Sequence, residues 1–396
     1  MTTTAHPATT SCTALAGIGP LFPVVFCGYL ALGLPLPALA LQVHDRLGFS
    51  AVAVGWVVGI QSLATVLTRG FAGRLTDTRG PKLGALLGLP LAAVAGLLYL
   101  ASEAVAGRPG LSLALLLAGR LALGPAESLF LTGTMAWGIA RLGPARTGRV
   151  MAWQGIGIFG ALAVGAPLGL AVMERYGFAA VAAAAALVPF LGLLVALAIA
   201  PEAGIPGQRL PFRRVIALIW RQGVGLGLAG VPFAALAAFV SLDYAAHGWT
   251  GAGLALSGFG AGYIAMRVFF AHWPDRFGGA RVAAASLAVE AIGQAVLWAA
   301  PNAGVALVGA SLTGIGFSLV FPALGVEATR RVPPQSRGLA VGGFVAFLDL
   351  AIGLTGPLAG FLAAGFGFPS VFLAGGAACL LAILTLVGQG GAGRQG

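Results

Sequence analysis

The chain has 396 residues, of which 59% are hydrophobic and 8% charged, with a formal net charge of +11 and a mean hydropathy of +0.96. Soluble domains carry roughly 25% charged residues, so this composition excludes a soluble globular fold and places the chain in a bilayer. Three scattered cysteines, Cys12, Cys27 and Cys379, exclude a disulfide framework or a metal cage.

Apolar runs separated by charge and by Pro/Gly punctuation predict twelve membrane-spanning helices, over about 20–42, 51–71, 83–102, 111–135, 150–172, 178–200, 217–241, 252–271, 282–300, 304–327, 339–364 and 368–388. No run reads as a strand. The fold class is therefore an all-α integral membrane protein. The opening "MTTTAHPATTSCTALAGIG", residues 1–19, lacks the basic region of a signal peptide and reads as a short tail. Residues 20–200 form an N-terminal six-helix half, "PEAGIPGQRLPFRR" at 201–214 a linker, 215–388 a C-terminal half and 389–396 a second tail. With the N-terminus inside, eighteen basic residues, Arg69 and Arg267 among them, fall in cytoplasmic loops and helix ends, against Arg46, Arg108 and Arg175 on the other side. Lys and Arg in short loops resist translocation, so both termini are expected in the cytoplasm. The positive charge thus reports topology, helped by anionic lipid, and calls for no nucleic-acid partner.

The two halves repeat each other. Asp45 and Asp243, Arg69 and Arg267, Asp77 and Asp275, and Gly80 and Gly278 are each 198 residues apart. Further on the offset becomes 190, pairing Gly148 with Gly338 and Pro167 with Pro357. Parallel repeats of this kind are a signature of transporter folds.

Four stretches carry a family resemblance. "GRLTDTRGPK", residues 73–82, resembles the signature loop between helices 2 and 3 of the major facilitator superfamily, through Gly73, Asp77, Gly80 and Lys82; the basic residue expected directly after the Asp is displaced by Thr78 to Arg79. Its second-half copy "AHWPDRFGGAR" keeps Asp275, Arg276, Gly278 and Arg281 but has Ala271 for the leading glycine. "LLLAGRLALGPAES" resembles the helix-4 motif, with Arg120 and Gly124, and "GALAVGAPLG" at 160–169 the helix-5 motif of exporters, with Ala166 intervening before Pro167. Along most of its length the chain resembles a bacterial branch of arabinose-efflux-type or multidrug-like permeases. The resemblance implies two pseudo-symmetric six-helix halves, alternating access and a multi-pass protein of the bacterial inner membrane.

Asp77, at the cytoplasmic end of helix 2, can face the positive N-terminus of helix 11 near Gly338, with Asp275 doing the same against helix 5 near Gly148. Together with Arg74, Arg79 and Lys82, and with Arg276, Gly278 and Arg281 in the copy, they form a candidate latch; the alternative is that these charges hold topology only. Gly165, Pro167 and Gly169 in helix 5, and Gly356, Pro357 and Gly360 in helix 11, are candidate bending points, because each proline removes a backbone hydrogen bond.

Charges inside a membrane are costly and by default mark function. Arg120, Glu127, Glu290 and Asp349 are the proton-coupling or cavity candidates, with Gln61, Gln154 and Gln294 as candidate substrate contacts. Arg120 and Glu127, seven residues apart, share a helix face at a rise of about 10.5 Å, too far for a tight pair but suited to lining one cavity. Asp349 has Phe159 at the matching position of the first half, so symmetry does not account for it. Glu290, with Gln294 one turn on, equally reads as a buried polar pair between helices.

No Walker-type phosphate loop or hydrolase elbow is present, which points away from an enzyme, leaves no cofactor implied and makes the proton gradient the expected energy source. The expected partners are a small-molecule substrate, protons and lipid, around a monomer. The first reading is a proton-coupled antiporter exporting small, partly apolar molecules. The second is an importer of a sugar or organic anion, in which Arg120 would hold the anionic group; a single asparagine counts against sugar. A transporter-fold sensor without flux is the third. Asp77→Ala is expected to impair transport while leaving membrane insertion intact, as checked by flux alongside membrane-fraction abundance; normal uptake and efflux in that variant would refute the latch.

Overall fold

The computed structural model describes residues 18–143, 146–203, 212–332 and 337–387. Both tails, apart from the first helix's approach, and most of the 201–214 linker lie outside them. Twelve apolar helices cross the molecule. They are α1 (Leu21–Arg46), α2 (Ala51–Arg79), α3 (Pro81–Ala104), α4 (Pro109–Leu142), α5 (Thr147–Tyr176) and α6 (Phe178–Ala198) in the first half. In the second half they are α7 (Phe212–Ala246), α8 (Ala252–Phe270), α9 (Gly279–Trp298), α10 (Ala303–Arg330), α11 (Arg337–Phe366) and α12 (Pro369–Val387), with a single turn Trp273–Phe277 before α9. Each covers one predicted span. α1 is interrupted at Leu34, just before Pro35, and closes in a π turn over Gln42–Arg46.

The same packing is built twice. In the first half α1 lies against α5 and α6, α2 against α4, and α3 against α4 and α6; in the second, α7 lies against α11 and α12, α8 against α10, and α9 against α10 and α12. The halves meet chiefly along two seams, α2 with α11 and α5 with α8, which a pseudo-two-fold axis exchanges, and α1 also touches α7. Outward-facing side chains such as Leu67, Leu187, Leu194, Phe361 and Leu384 are exposed apolar groups, the surface a lipid-facing bundle presents.

We call the end bearing the α2–α3, α4–α5, α8–α9 and α10–α11 connections the basic end. Away from it the seams close backbone to backbone. A Cβ on Gly55 would overlap the carbonyl of Gly356, one on Gly356 would overlap that of Gly55, and one on Gly360 would lie 2.7 Å from the Ala51 oxygen. On the other seam a Cβ on Gly253 would lie 2.6 Å from Pro167 Cα, and Ser257 Oγ donates to the Ala163 carbonyl at 2.7 Å. Small residues allow this approach where lipid supplies no hydrophobic force between helices. α5 and α11 run as continuous helices through Pro167 and Pro357. Gly356 and Gly360 contact α2, while Gly165 and Gly169 contact the α1 backbone at Gly33 and Leu34.

At the basic end Gly80 and Gly278 do a different job from the latch contacts expected of them. They adopt φ 92° and 88° with ψ 152° and 138°, and each N–H closes the preceding helix, onto Thr76 and Pro274 respectively. An L side chain in that region costs about 1–3 kcal/mol. Gly80→Ala should therefore lower the melting temperature of the purified protein, while Gly73→Ala, where nothing lies within 4 Å of an added Cβ, should not. Equal melting of the two variants would contradict this assignment.

Candidate functional site

Gln61, Thr65 and Arg69 recur every four residues and so form one stripe on α2. That stripe faces α4 and α11, and the contacts it makes assemble a polar cluster between the helices. Glu127 of α4, 9% exposed, accepts three hydrogen bonds: from Tyr29 Oη of α1 at 2.6 Å, from Gln61 Nε2 at 2.8 Å and from Thr65 Oγ1 at 3.2 Å. One turn further along α2, Arg69 Nε donates to Asp349 Oδ2 of α11 at 2.5 Å, with Nη2 at the same distance from that oxygen. The pair spans 280 residues of sequence and joins the two halves. The cluster thus draws on four helices and holds two carboxylates and one guanidinium.

Of the expected site residues, Gln61, Glu127 and Asp349 come together here. Arg69 joins them, although its position had suggested a topological charge at a helix end; its side chain is 14% exposed, and its second-half equivalent Arg267 is buried further, at 5%. What betrays both in the sequence is their 198-residue repeat within predicted spans that run on past them.

Arg120 does not line the cavity with Glu127. Its Nε donates to the Val57 carbonyl and its Nη2 to that of Val58, each at 2.9 Å, so it brackets α4 onto α2. Gln154 braces α5 on α4, donating to the Leu131 carbonyl at 2.9 Å and to Thr134 Oγ1 at 3.0 Å. Glu290 and Gln294 are fully buried on α9, away from the cluster. Gln294 donates to Thr313 Oγ1 of α10 at 3.0 Å, and Glu290 backs against Gly316 of the same helix, so both belong to packing inside the second half.

The latch candidates divide as well. Lys82 turns into its own half and donates to the Leu197 and Ile199 carbonyls at 2.9 and 2.7 Å, capping the open end of α6. Arg74, Arg79, Arg276 and Arg281 are exposed, and Asp77 is half-buried on the last turn of α2. The side chain of Asp275 lies outside the described residues, although α11 starts at Arg337 and α5 at Thr147, where the latch requires helix N-termini.

A twice-repeated six-helix bundle with a charged pair across the seam between its halves is the architecture of a membrane transporter. The chain belongs to the Major Facilitator Superfamily, whose sequence profile matches residues 21–246 and again 222–389. A Salmonella typhimurium protein named as an uncharacterized MFS-type transporter is 46% identical over 357 residues, 90% of this chain and 92% of its own length. One from Pseudomonas aeruginosa bearing the same description is 47% identical over 91% of this chain and 89% of its own. Among solved structures, the human organic anion transporter MFSD10 aligns with a TM-score of 0.72 over 94% of this chain and 99% of its own at 18% identity. The nucleoside transporter NupG aligns with a TM-score of 0.74 over 93% and 98% at 15% identity. These two likenesses establish the shared fold.

Removing one partner from a buried ion pair costs about 3–5 kcal/mol, because the other charge is stranded. Arg69→Met and Asp349→Asn should each lower the melting temperature of the purified protein, and the double variant should lose clearly less than the two losses combined. Additive losses would show that the pair is not coupled.

Proposed function

We propose that this transporter is a proton-coupled antiporter of the bacterial inner membrane that exports small, partly apolar molecules by alternating access. The observation that carries the reading is the Arg69–Asp349 pair across the seam, one turn from the Glu127 cluster. A proton taken up by Asp349 removes the partner of Arg69 and weakens the join between the halves. Breaking such a pair is worth about 3–5 kcal/mol, and turning a 1:99 equilibrium into 99:1 requires about 5.5 kcal/mol. One protonation therefore accounts for most of a conformational switch. Glu127, one turn away in the same cluster, can share the proton, and its hydrogen-bond partners Gln61 and Tyr29 reorient with it.

The end at which Gly55 and Gly356 meet is the outward-facing one in this reading. Exposed Arg74, Arg79, Arg149, Arg276 and Arg281 mark the other end as cytoplasmic. With Arg69 and Arg267 inside the bundle, sixteen of the eighteen basic residues remain on that side against three on the other. Both termini are then cytoplasmic, the transporter acts as a monomer in lipid, and the gradient replaces any cofactor.

In everted vesicles energised to an acidic interior, a transported compound should collapse the pH gradient with the native protein and not with Asp349→Asn or Glu127→Gln at matched abundance. If transport of a compound proceeds without proton movement, or both variants retain full coupling, the antiport reading is wrong.

A further inference from the structure

The pseudo-two-fold axis relates the α2–α11 seam to the α8–α5 seam, but only one of the two carries an acid. Arg267 of α8 is the equivalent of Arg69, while Phe159 of α5 stands where α11 has Asp349. Arg267 is 95% removed from solvent at 5% exposure, and its guanidinium points into the seam, 3.6 Å from where a Cβ on Gly155 of α5 would sit. Its Nη2 donates to the Tyr263 hydroxyl and its guanidinium carbon lies 5.1 Å from that ring's centroid. Its Nε is buried without a hydrogen-bond partner, and it takes part in no ion pair among the described residues. The bundle therefore holds three arginines largely removed from solvent, with different fates. Arg69 is neutralised by Asp349, whereas Arg120 and Arg267 face no acid among the described residues and each keeps one unused donor, Nη1 and Nε respectively; two backbone carbonyls of α2 hold Arg120, but Arg267 has only the Tyr263 hydroxyl, on the seam between the halves.

A buried cation without an anion is costly, and a buried donor left unmade adds to that cost. Around it lies an aromatic cluster drawn from both halves. Phe159 of α5 sits 4.0 Å from Tyr263 and 5.6 Å from Phe233 of α7, with Phe259 of α8 and Phe317 of α10 completing the group. Phe159 and Phe233 are only half-buried, so part of each ring is uncovered at the seam. The Tyr263 hydroxyl accepts from Arg267 and retains its own proton to donate.

We propose that Arg267 and Tyr263 bind the carboxylate of a small aromatic acid whose ring lies against Phe159 and Phe233, the substrate supplying on this seam the negative charge that Asp349 supplies on the other. The assignment rests on the transport reading above and narrows its partly apolar substrates to carboxylates. A guanidinium matches a carboxylate in planar, two-donor geometry, and the half-exposed rings accept a flat apolar body. Binding would then draw α5 and α8 together, as the ion pair does for α2 and α11.

The test uses the purified full-length protein and four probes of one shape: benzoate and phenylacetate as anions, benzyl alcohol as the neutral form and benzylammonium as the cation. Both carboxylates should raise the melting temperature of the native protein and the other two should not. Arg267→Gln should weaken benzoate binding about tenfold or more, as expected for losing a charged hydrogen-bond partner, and Arg267→Lys should retain part of it. Phe159→Asp, which places an internal carboxylate opposite Arg267, should abolish the benzoate response while the variant still melts cooperatively. The proposal is overturned if neither carboxylate protects the native protein, if benzyl alcohol or benzylammonium protects it as well as benzoate, or if Arg267→Gln and Phe159→Asp bind benzoate with native affinity. Benzoate binding that depends on Arg267, with no proton movement in the vesicle assay, would instead remove the antiport reading and leave this site in place. Substrate-driven proton movement without carboxylate preference would do the reverse.

Discussion

A guanidinium and a carboxylate brought together in a medium with little water attract strongly, and each is costly without the other. In this protein Arg69 and Asp349 belong to different halves, so the condition for burying either charge is that the halves stay joined at that point. The surrounding structure serves that condition. Gly55 and Gly356 let the α2 and α11 backbones touch near one end of the seam, which sets how far apart the two helices are where the charged side chains meet. The neighbouring carboxylate, Glu127, is steadied by three donors from α1 and α2 and does not have to compete for the same arginine.

The repeat gives the molecule a symmetric frame and leaves its chemistry asymmetric. Helix pairings match one for one between the halves, and both copies of the α2–α3 type of turn use a glycine in a conformation that side chains avoid. Frame elements of this kind answer to backbone geometry, which both halves share. The acid opposite the buried arginine is not duplicated, and an aromatic group stands in its place. One seam is thus internally satisfied, whereas the other presents a buried positive charge beside half-exposed rings.

The polar groups that take no part in that chemistry show how a membrane bundle is held together. Arg120 binds two carbonyls of α2, Gln154 a carbonyl of α4 and Lys82 the terminal carbonyls of α6. In lipid no water competes for these acceptors, so a long polar side chain can serve as a cross-brace between helices. An intramembrane charge in a sequence is therefore an ambiguous sign until its partner is known.

The twelve spans, the twofold repeat and the family were legible in the sequence because each rests on local pattern. A helix must carry about 20 apolar residues to cross the hydrocarbon, and Gly80 and Gly278 recur where a turn needs their backbone freedom. Glu127, Asp349 and Gln61 were also visible as polar side chains inside apolar runs. Which of them meet was not visible, and neither was the difference between Arg69, Arg120 and Arg267, three arginines that look alike in composition. Asp349 lies 280 positions from Arg69, and whether two such residues touch depends on how helices from separate halves cross. Hydropathy and spacing are properties of one segment, whereas the neutralisation of a buried charge belongs to the packed bundle, and only the tertiary structure decided which arginine met an acid, which was held by backbone carbonyls and which was left on a seam with a tyrosine hydroxyl.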